Sequence, residues 1–225
     1  LVNNKGHYEL DFEYYDSLMK GNEKVLVLSS PHNPGGRVWT QKELTEIASF
    51  AQRHNLVVVS DEIHNDLIMP GYKHIPMAIA APQILDRLVM MTATTKTFNI
   101  AGMHTGNVII PDPKLRAAFN KTMVSFGISP SSFGKQMITA AYTQEGADWV
   151  DNLMLYLDEN QKIFNTELGK IPGINSMHLE STYLCWVDFS NTGMRKDEFT
   201  KRVEKTAQIA ASHGHTFGAG GDSFL

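Results

Sequence analysis

The sequence holds one cysteine, Cys185, in 225 residues. An internal disulfide and a cysteine-built zinc cluster are therefore excluded, and such sparing use of thiols suits a reducing compartment such as the cytoplasm. A surplus of either charge is missing as well. Twenty basic and 24 acidic side chains leave a net charge of −4, which gives no electrostatic reason to expect nucleic acid or an anionic membrane as partner. Long apolar runs are also absent, since stretches such as Val25–Leu28 and Leu56–Val59 fall far short of a bilayer span. No initiator methionine, basic leader or signal-peptide core stands at Leu1. The chain closes on Gly218-Ala-Gly-Gly-Asp-Ser-Phe-Leu225, a glycine loop running into an apolar pair of the kind that begins a strand. The expectation is that both ends are cuts in a longer protein.

What is present has ordinary globular composition, 42% hydrophobic and 20% charged. The first half alternates short β-rich runs with helical patterns, as an α/β domain with a largely parallel sheet does. Strands are expected at Lys24–Ser30, Leu56–Ser60, Arg87–Thr92 and Gly106–Ile110. Between the first two, Thr40 and Glu43 form a capping box, and Leu44, Ile47, Ala48 and Ala51 share one helical face. Further helices are expected at Pro113–Val124 and Ser132–Thr143. After Gly146 a long helix carries Trp149, Val150, Leu153, Met154, Leu157 and Phe164 near one stripe. A strand at Thr182–Phe189 and a charged amphipathic helix at Arg195–Ser212 complete the pattern. The reading divides the chain into 1–146, a larger domain, and 147–225, an interdomain helix with part of a smaller one.

Three segments follow predicted strands, where open α/β sheets bind ligands. Ser30-Pro-His-Asn-Pro-Gly-Gly36 reads either as a tight turn or as a device that aims the Asn33 amide at a ligand. Ser60-Asp-Glu-Ile-His-Asn-Asp66 admits three readings: a metal site built from Asp61, Glu62, His64 and Asp66, a solvated loop, or a buried carboxylate with a cationic partner. Lys96 follows an apolar strand among small hydroxyl residues, which suit an anion such as phosphate. An isolated lysine there would instead extend its ammonium to water. Cys185 reads as a small core residue, and His7, His54, His74, His178 and His213 show no ligand spacing.

In order, these motifs resemble those of the fold-type I pyridoxal-phosphate enzymes of the aminotransferase class I/II group. Ser30-Pro-His-Asn-Pro-Gly-Gly-Arg-Val-Trp39, Ser60-Asp-Glu-Ile-His64, Lys96-Thr-Phe-Asn-Ile-Ala-Gly102 and Ser181-Thr-Tyr-Leu-Cys-Trp-Val-Asp188 look most like the cystathionine β-lyase branch, the MalY/PatB-type C–S lyases. The metal reading explains neither Lys96 nor Asn33 and falls behind. The resemblance implies a mostly parallel sheet flanked by helices, part of a smaller α+β domain, and pyridoxal 5'-phosphate as cofactor, with no metal. It implies that Lys96 bonds the cofactor's aldehyde carbon and shuttles the Cα proton, and that Asp61 faces the pyridine nitrogen. Asn33 would hydrogen-bond the 3′-oxygen, and its peptide bond to Pro34 would be cis. Thr95 would hold the phosphate.

His64 stands where many aminotransferases of the group carry tyrosine, which supports the lyase branch. His104 stands where they carry an arginine, and Ala93 lacks the hydroxyl of the Ser-x-Ser-Lys pattern. A histidine cannot reproduce a bidentate guanidinium anchor. Phosphate binding would therefore lean on Thr95, backbone amides and chain outside this sequence. The implied protein is a cytoplasmic homodimer acting on a small sulfur-containing amino acid, and residues 1–225 alone would show little turnover. The alternatives are an aminotransferase or a cofactor-binding scaffold with a regulatory role.

Overall fold

The computed structural model describes residues 1–225 and opens with a hairpin, β1 (Val2–Asn4) against β2 (His7–Glu9), that sequence patterning does not signal. A short helix, α1 (Phe12–Leu18), leads into β3 (Val25–Ser29), α2 (Gln41–Arg53) and β4 (Val57–Asp61). Then come α3 (Met77–Ala80), β5 (Leu88–Thr92), the single turn α4 (Thr94–Thr97) and β6 (Asn107–Ile109). β3 to β6 form one sheet in the order β3-β4-β5-β6, parallel except for the last pair. β-branched side chains crowd a helix and suit a pleated surface. Val57-Val-Val59 accordingly forms strand, while α2, with only Thr45 and Ile47 β-branched, forms helix.

α2 forms as the sequence predicts. Thr40 accepts from the Glu43 N–H, and the Glu43 carboxylate accepts from the Thr40 N–H, closing the capping box. Leu44, Ile47, Ala48 and Ala51 are all buried. They pack with Val58, Leu88, Met77, Ile84 and Trp39 into the main core, between α2 and one face of the sheet.

Helices α5 (Pro113–Ser125), α6 (Ser132–Ala141) and α7 (Gln144–Leu168) follow. On α7, Met154 is buried, and Val150, Leu153 and Leu157 pack with it against Leu67, Met69 and Leu179. Trp149, expected on that stripe, is exposed on one side and stacks on Phe98 at 5.5 Å. The last elements are β7 (Asn175–Ser176), β8 (Val187–Asp188) and α8 (Lys196–Lys201).

Two expectations are corrected here. The strand expected at Thr182–Phe189 shrinks to Val187–Asp188, because Thr182 adopts φ +68° and leaves the extended region. The chain before it is instead pinned to another segment, by the Ile68–Ser181 bridge and by the Thr182 N–H donating to the Leu67 carbonyl at 2.8 Å. The helix expected at Arg195–Ser212 is α-helical only to Lys201. It widens into a π-turn over Arg202–Thr206 and stops where Gln208 takes φ +56°. No helix is long and apolar enough to cross a membrane.

Leu44 is fully buried at the centre of the main core. Leu44→Ala should therefore lower the unfolding free energy by about 3 kcal/mol in urea titration. Lys42→Ala on the exposed face of the same helix should change it by less than about 0.5 kcal/mol.

Candidate active site

Parallel pairing sets Ser29 beside Asp61 and Asp61 beside Met91, so the three strands end level and their following turns leave from one edge. Asp61 is half-buried, and its carboxylate accepts from the Ile63 N–H at 3.2 Å, which folds the turn back over the strand end. His64 thereby enters the interior. It is 2% exposed, its ring lies edge-on to Tyr183 at 5.9 Å, and neither ring nitrogen has a hydrogen-bond partner. Burial pushes its pKa below the usual histidine range, the Lys96 charge pushes the same way, and Asp61 opposes them. His64 thus lies within electrostatic reach of both Asp61 and Lys96.

Lys96 is half-buried on α4 and belongs to none of the chain's ion pairs. The turn that carries it is anchored next door: Thr97 Oγ1 donates to Asp66 Oδ2 at 3.0 Å, and Asn65 Nδ2 donates to Asp66 Oδ1 at 2.8 Å. Asp66 therefore ties the Asp61–His64 turn to the lysine turn. Thr95, on the same turn as Lys96, is half-buried, and its carbonyl accepts from Ile100. Thr94 is fully buried with no partner for Oγ1.

Asn33 sits on the first turn, where both Ser30–Pro31 and Asn33–Pro34 are cis. Its N–H donates to Ser29 Oγ at 3.2 Å. Gly36 closes the turn at φ +67°, where a Cβ would lie 2.4 Å from Leu179 Cδ2, so only glycine fits. Asn33 lines a cleft of about 620 Å³ with Tyr8, His32, Trp186 and the loop Gly218–Gly221; the cleft does not reach Asp61 or Lys96. The structure thus brings Asp61, His64 and Lys96 together, carries Thr95 on the lysine's own turn, and sets Asn33 on an adjoining turn.

The metal reading does not hold: no three metal-type side chains converge anywhere in the chain. Glu62 is engaged elsewhere, accepting from Ser60 Oγ and the Met77 N–H at 2.9 Å each and meeting His74 Nε2 at 2.9 Å. His104 is exposed in the left-handed region at φ 47°. Cys185 packs half-buried between two small apolar clusters.

Two contributors escaped the sequence reading. His32 packs edge-on against Tyr8 and Trp39, each at 5.8 Å, and its Nδ1 accepts from the Gly35 N–H at 3.2 Å. Burial, then the positive charges of the amino group at Leu1 and of Arg37, lowers its pKa to about 4. Its only sequence signal is its place inside the turn motif. Arg37 and Glu180 form the second contributor, a buried ion pair at 3.1 Å between residues far apart in the chain. No local pattern announces such a pair.

The chain matches the family description "Aminotransferase class I and II" over residues 2–225. It is 35% identical to the cystathionine beta-lyase PatB of Bacillus subtilis, covering all of this chain and 59% of that protein. It is 32% identical to the protein MalY of Escherichia coli, covering 92% of this chain and 53% of that one. The crystal structure of cystalysin from Treponema denticola, which contains a pyridoxal 5'-phosphate cofactor, superposes with a TM-score of 0.92 at 36% identity. That match covers 99% of this chain and 57% of cystalysin. The chain therefore spans little more than half the length of these relatives, and its fold is theirs over that span.

Unfolded His32 gains its proton near pH 6.5 and folded His32 only near pH 4. Between those values the unfolded state binds more protons, so stability falls as pH drops through this window, by on the order of 2–3 kcal/mol for this group. His32→Gln keeps an acceptor for the Gly35 amide and cannot titrate. It should flatten that acid decline in urea titrations stepped from pH 7 to pH 4, whereas an unchanged slope would clear His32 of the effect.

Proposed function

We propose the function from one premise: the chain belongs to the aminotransferase class I and II family. We infer that it binds pyridoxal 5'-phosphate and that the protein is a C–S β-lyase, splitting cystathionine or another cysteine conjugate into a thiol, pyruvate and ammonia. The observation that carries this reading is that buried polar atoms on the two turns at the strand ends lack protein partners. Folded interiors rarely leave such atoms unpaired. Yet both His64 nitrogens and Thr94 Oγ1 are unpaired here, beside a lysine that no carboxylate neutralises. That donor set fits a polar ligand carrying an aldehyde, a ring nitrogen and a phosphate. The identity to the cystathionine beta-lyase PatB supports the lyase branch over other members of the family, and cystalysin supports the cofactor.

In this reading Lys96 would hold the cofactor covalently and Asp61 would face its protonated ring nitrogen. Asn33 and His64 would hold its polar ring substituents, and Thr95 its phosphate. The bound cofactor supplies an electron sink for negative charge at the substrate Cα. With that group bound, Lys96 Nζ would take the substrate Cα proton and deliver a proton to the departing sulfur. Asp61 would set its carboxylate opposite the ring nitrogen. His64, held neutral by burial, would donate or accept without adding a competing cation to the pocket. We further propose that the protein works as a cytoplasmic homodimer on a small sulfur-containing amino acid, in keeping with its single cysteine and balanced charge.

The test supplies the full-length protein with cystathionine and no keto acid, and follows pyruvate and thiol together. The lyase reading expects both products in equal amounts. Lys96→Ala should lower turnover by about a thousandfold or more, since the proton carrier is lost. Product that appears only when a keto-acid acceptor is added would transfer the reading to an aminotransferase, and no product under either condition would leave a binding scaffold.

A further inference from the structure

We propose that Glu180 is a positioning residue that fixes the Asn33 turn against the lysine site; the proposal rests on Asn33 facing the cofactor as inferred above. Glu180 is 7% exposed, and its carboxylate is held by groups from that turn's exit and by His7 of β2. Oε2 accepts from the Val38 N–H at 2.7 Å and from Arg37 Nε at 3.1 Å, while Oε1 meets His7 Nε2 at 3.3 Å. Its backbone works in the same direction. The Glu180 N–H donates to the Gly36 carbonyl at 2.9 Å, and Ser181 Oγ donates to that carbonyl at 3.1 Å. Arg37, itself 3% exposed, extends the network to the Glu43 carboxylate at 2.8 Å and to the Tyr8 carbonyl. The exit of the Asn33 turn therefore has no independent freedom. Gly36, Arg37 and Val38 are each held by the one segment that contains Glu180.

The same segment reaches the other half of the site. The Glu180 carbonyl accepts from the Met69 N–H at 3.0 Å, and Thr182 binds Leu67 in the chain that leaves the Asp61–His64 turn. Tyr183 then lies against the His64 ring. Glu180 thus sits where the Asn33 turn and the His64 turn are stitched together. A buried carboxylate with charge-assisted bonds holds such a junction more tightly than a neutral amide. A misplacement of about 1 Å at a reacting centre costs roughly a hundredfold. Charge in this place is therefore spent on geometry, since Glu180 touches none of Asp61, Lys96 or Asn33 itself.

Four full-length proteins decide the matter: wild type, Glu180→Gln, Asn33→Ala and the double variant, each loaded with pyridoxal 5'-phosphate. The readings are the pH midpoint of the cofactor's visible absorbance, its dissociation constant and the melting temperature. We expect Glu180→Gln to weaken cofactor binding about tenfold, equivalent to about 1.4 kcal/mol. It should move the midpoint in the same direction as Asn33→Ala and add nothing in the Asn33→Ala background, because coupled groups fail to add. Additive effects, or a lowered melting temperature with an unmoved midpoint, would overturn the proposal. If Glu180→Gln does not fold, Glu180→Asp keeps the charge but draws it back from Val38, and is read in the same way. A wild type without a visible band would sink the cofactor reading instead. Amide exchange at Val38 in the cofactor-free protein then decides, with about tenfold faster exchange in the Glu180 variant supporting the clamp and unchanged exchange rejecting it.

Discussion

Ser29, Asp61 and Met91 lie level across three hydrogen-bonded parallel strands, and this register determines where every candidate residue can be. The Ser30 N–H donates to the Asp61 carbonyl at 2.9 Å and the Glu62 N–H to the Met91 carbonyl at 2.7 Å, so the ladder persists one residue past the strand ends. Side chains alternate along β4: Val58 and Ser60 are buried toward α2, and Asp61 shares the opposite face with Val57 and Val59. A slip of one residue would send Asp61 into the apolar core and Ser60 to the site. The fully buried Val58 and Leu44 make that slip costly, so packing on one face of the sheet specifies the chemistry available on the other.

The buried polar groups divide by what they bind. Glu62 with His74, and Arg37 with Glu43 and Glu180, are matched inside the protein and hold backbone in place. Removing one partner from such a pair leaves an uncompensated buried charge, so each pair holds its geometry as a unit. His64, Thr94 and Lys96 have no such match. They cluster where the level strand ends and the Asp66–Thr97 tether bring two turns together. An acidic pair in the sequence, Asp61-Glu62, thus splits into one residue that faces the site and one that faces the core.

Much of this was legible beforehand because it is local. The Thr40–Glu43 capping box, the apolar face of α2, the β-branched strand at Leu56–Ser60 and the order of the Asn33, Asp61 and Lys96 motifs all depend on neighbours within a few residues. The failures share the opposite origin. The extended reading of Thr182–Phe189 was correct about composition, but contacts with Leu67 and Ile68 held Thr182 at positive φ. The charged periodicity of Arg195–Ser212 was real, yet it carried the helix no further than a widened turn ending at Thr206. The Arg37–Glu180 pair joins residues brought together only by the tertiary fold, so neither residue could be distinguished from an ordinary surface charge.

The central claim is that Lys96, among 20 basic residues, is the one that engages the cofactor's aldehyde. The most direct measurement mixes the full-length protein with pyridoxal 5'-phosphate, reduces the adduct with borohydride, and maps the added mass by peptide sequencing. The account predicts one stoichiometric phosphopyridoxyl group on the peptide containing Lys96. Label spread over surface lysines, or concentrated on any other single lysine, would contradict it.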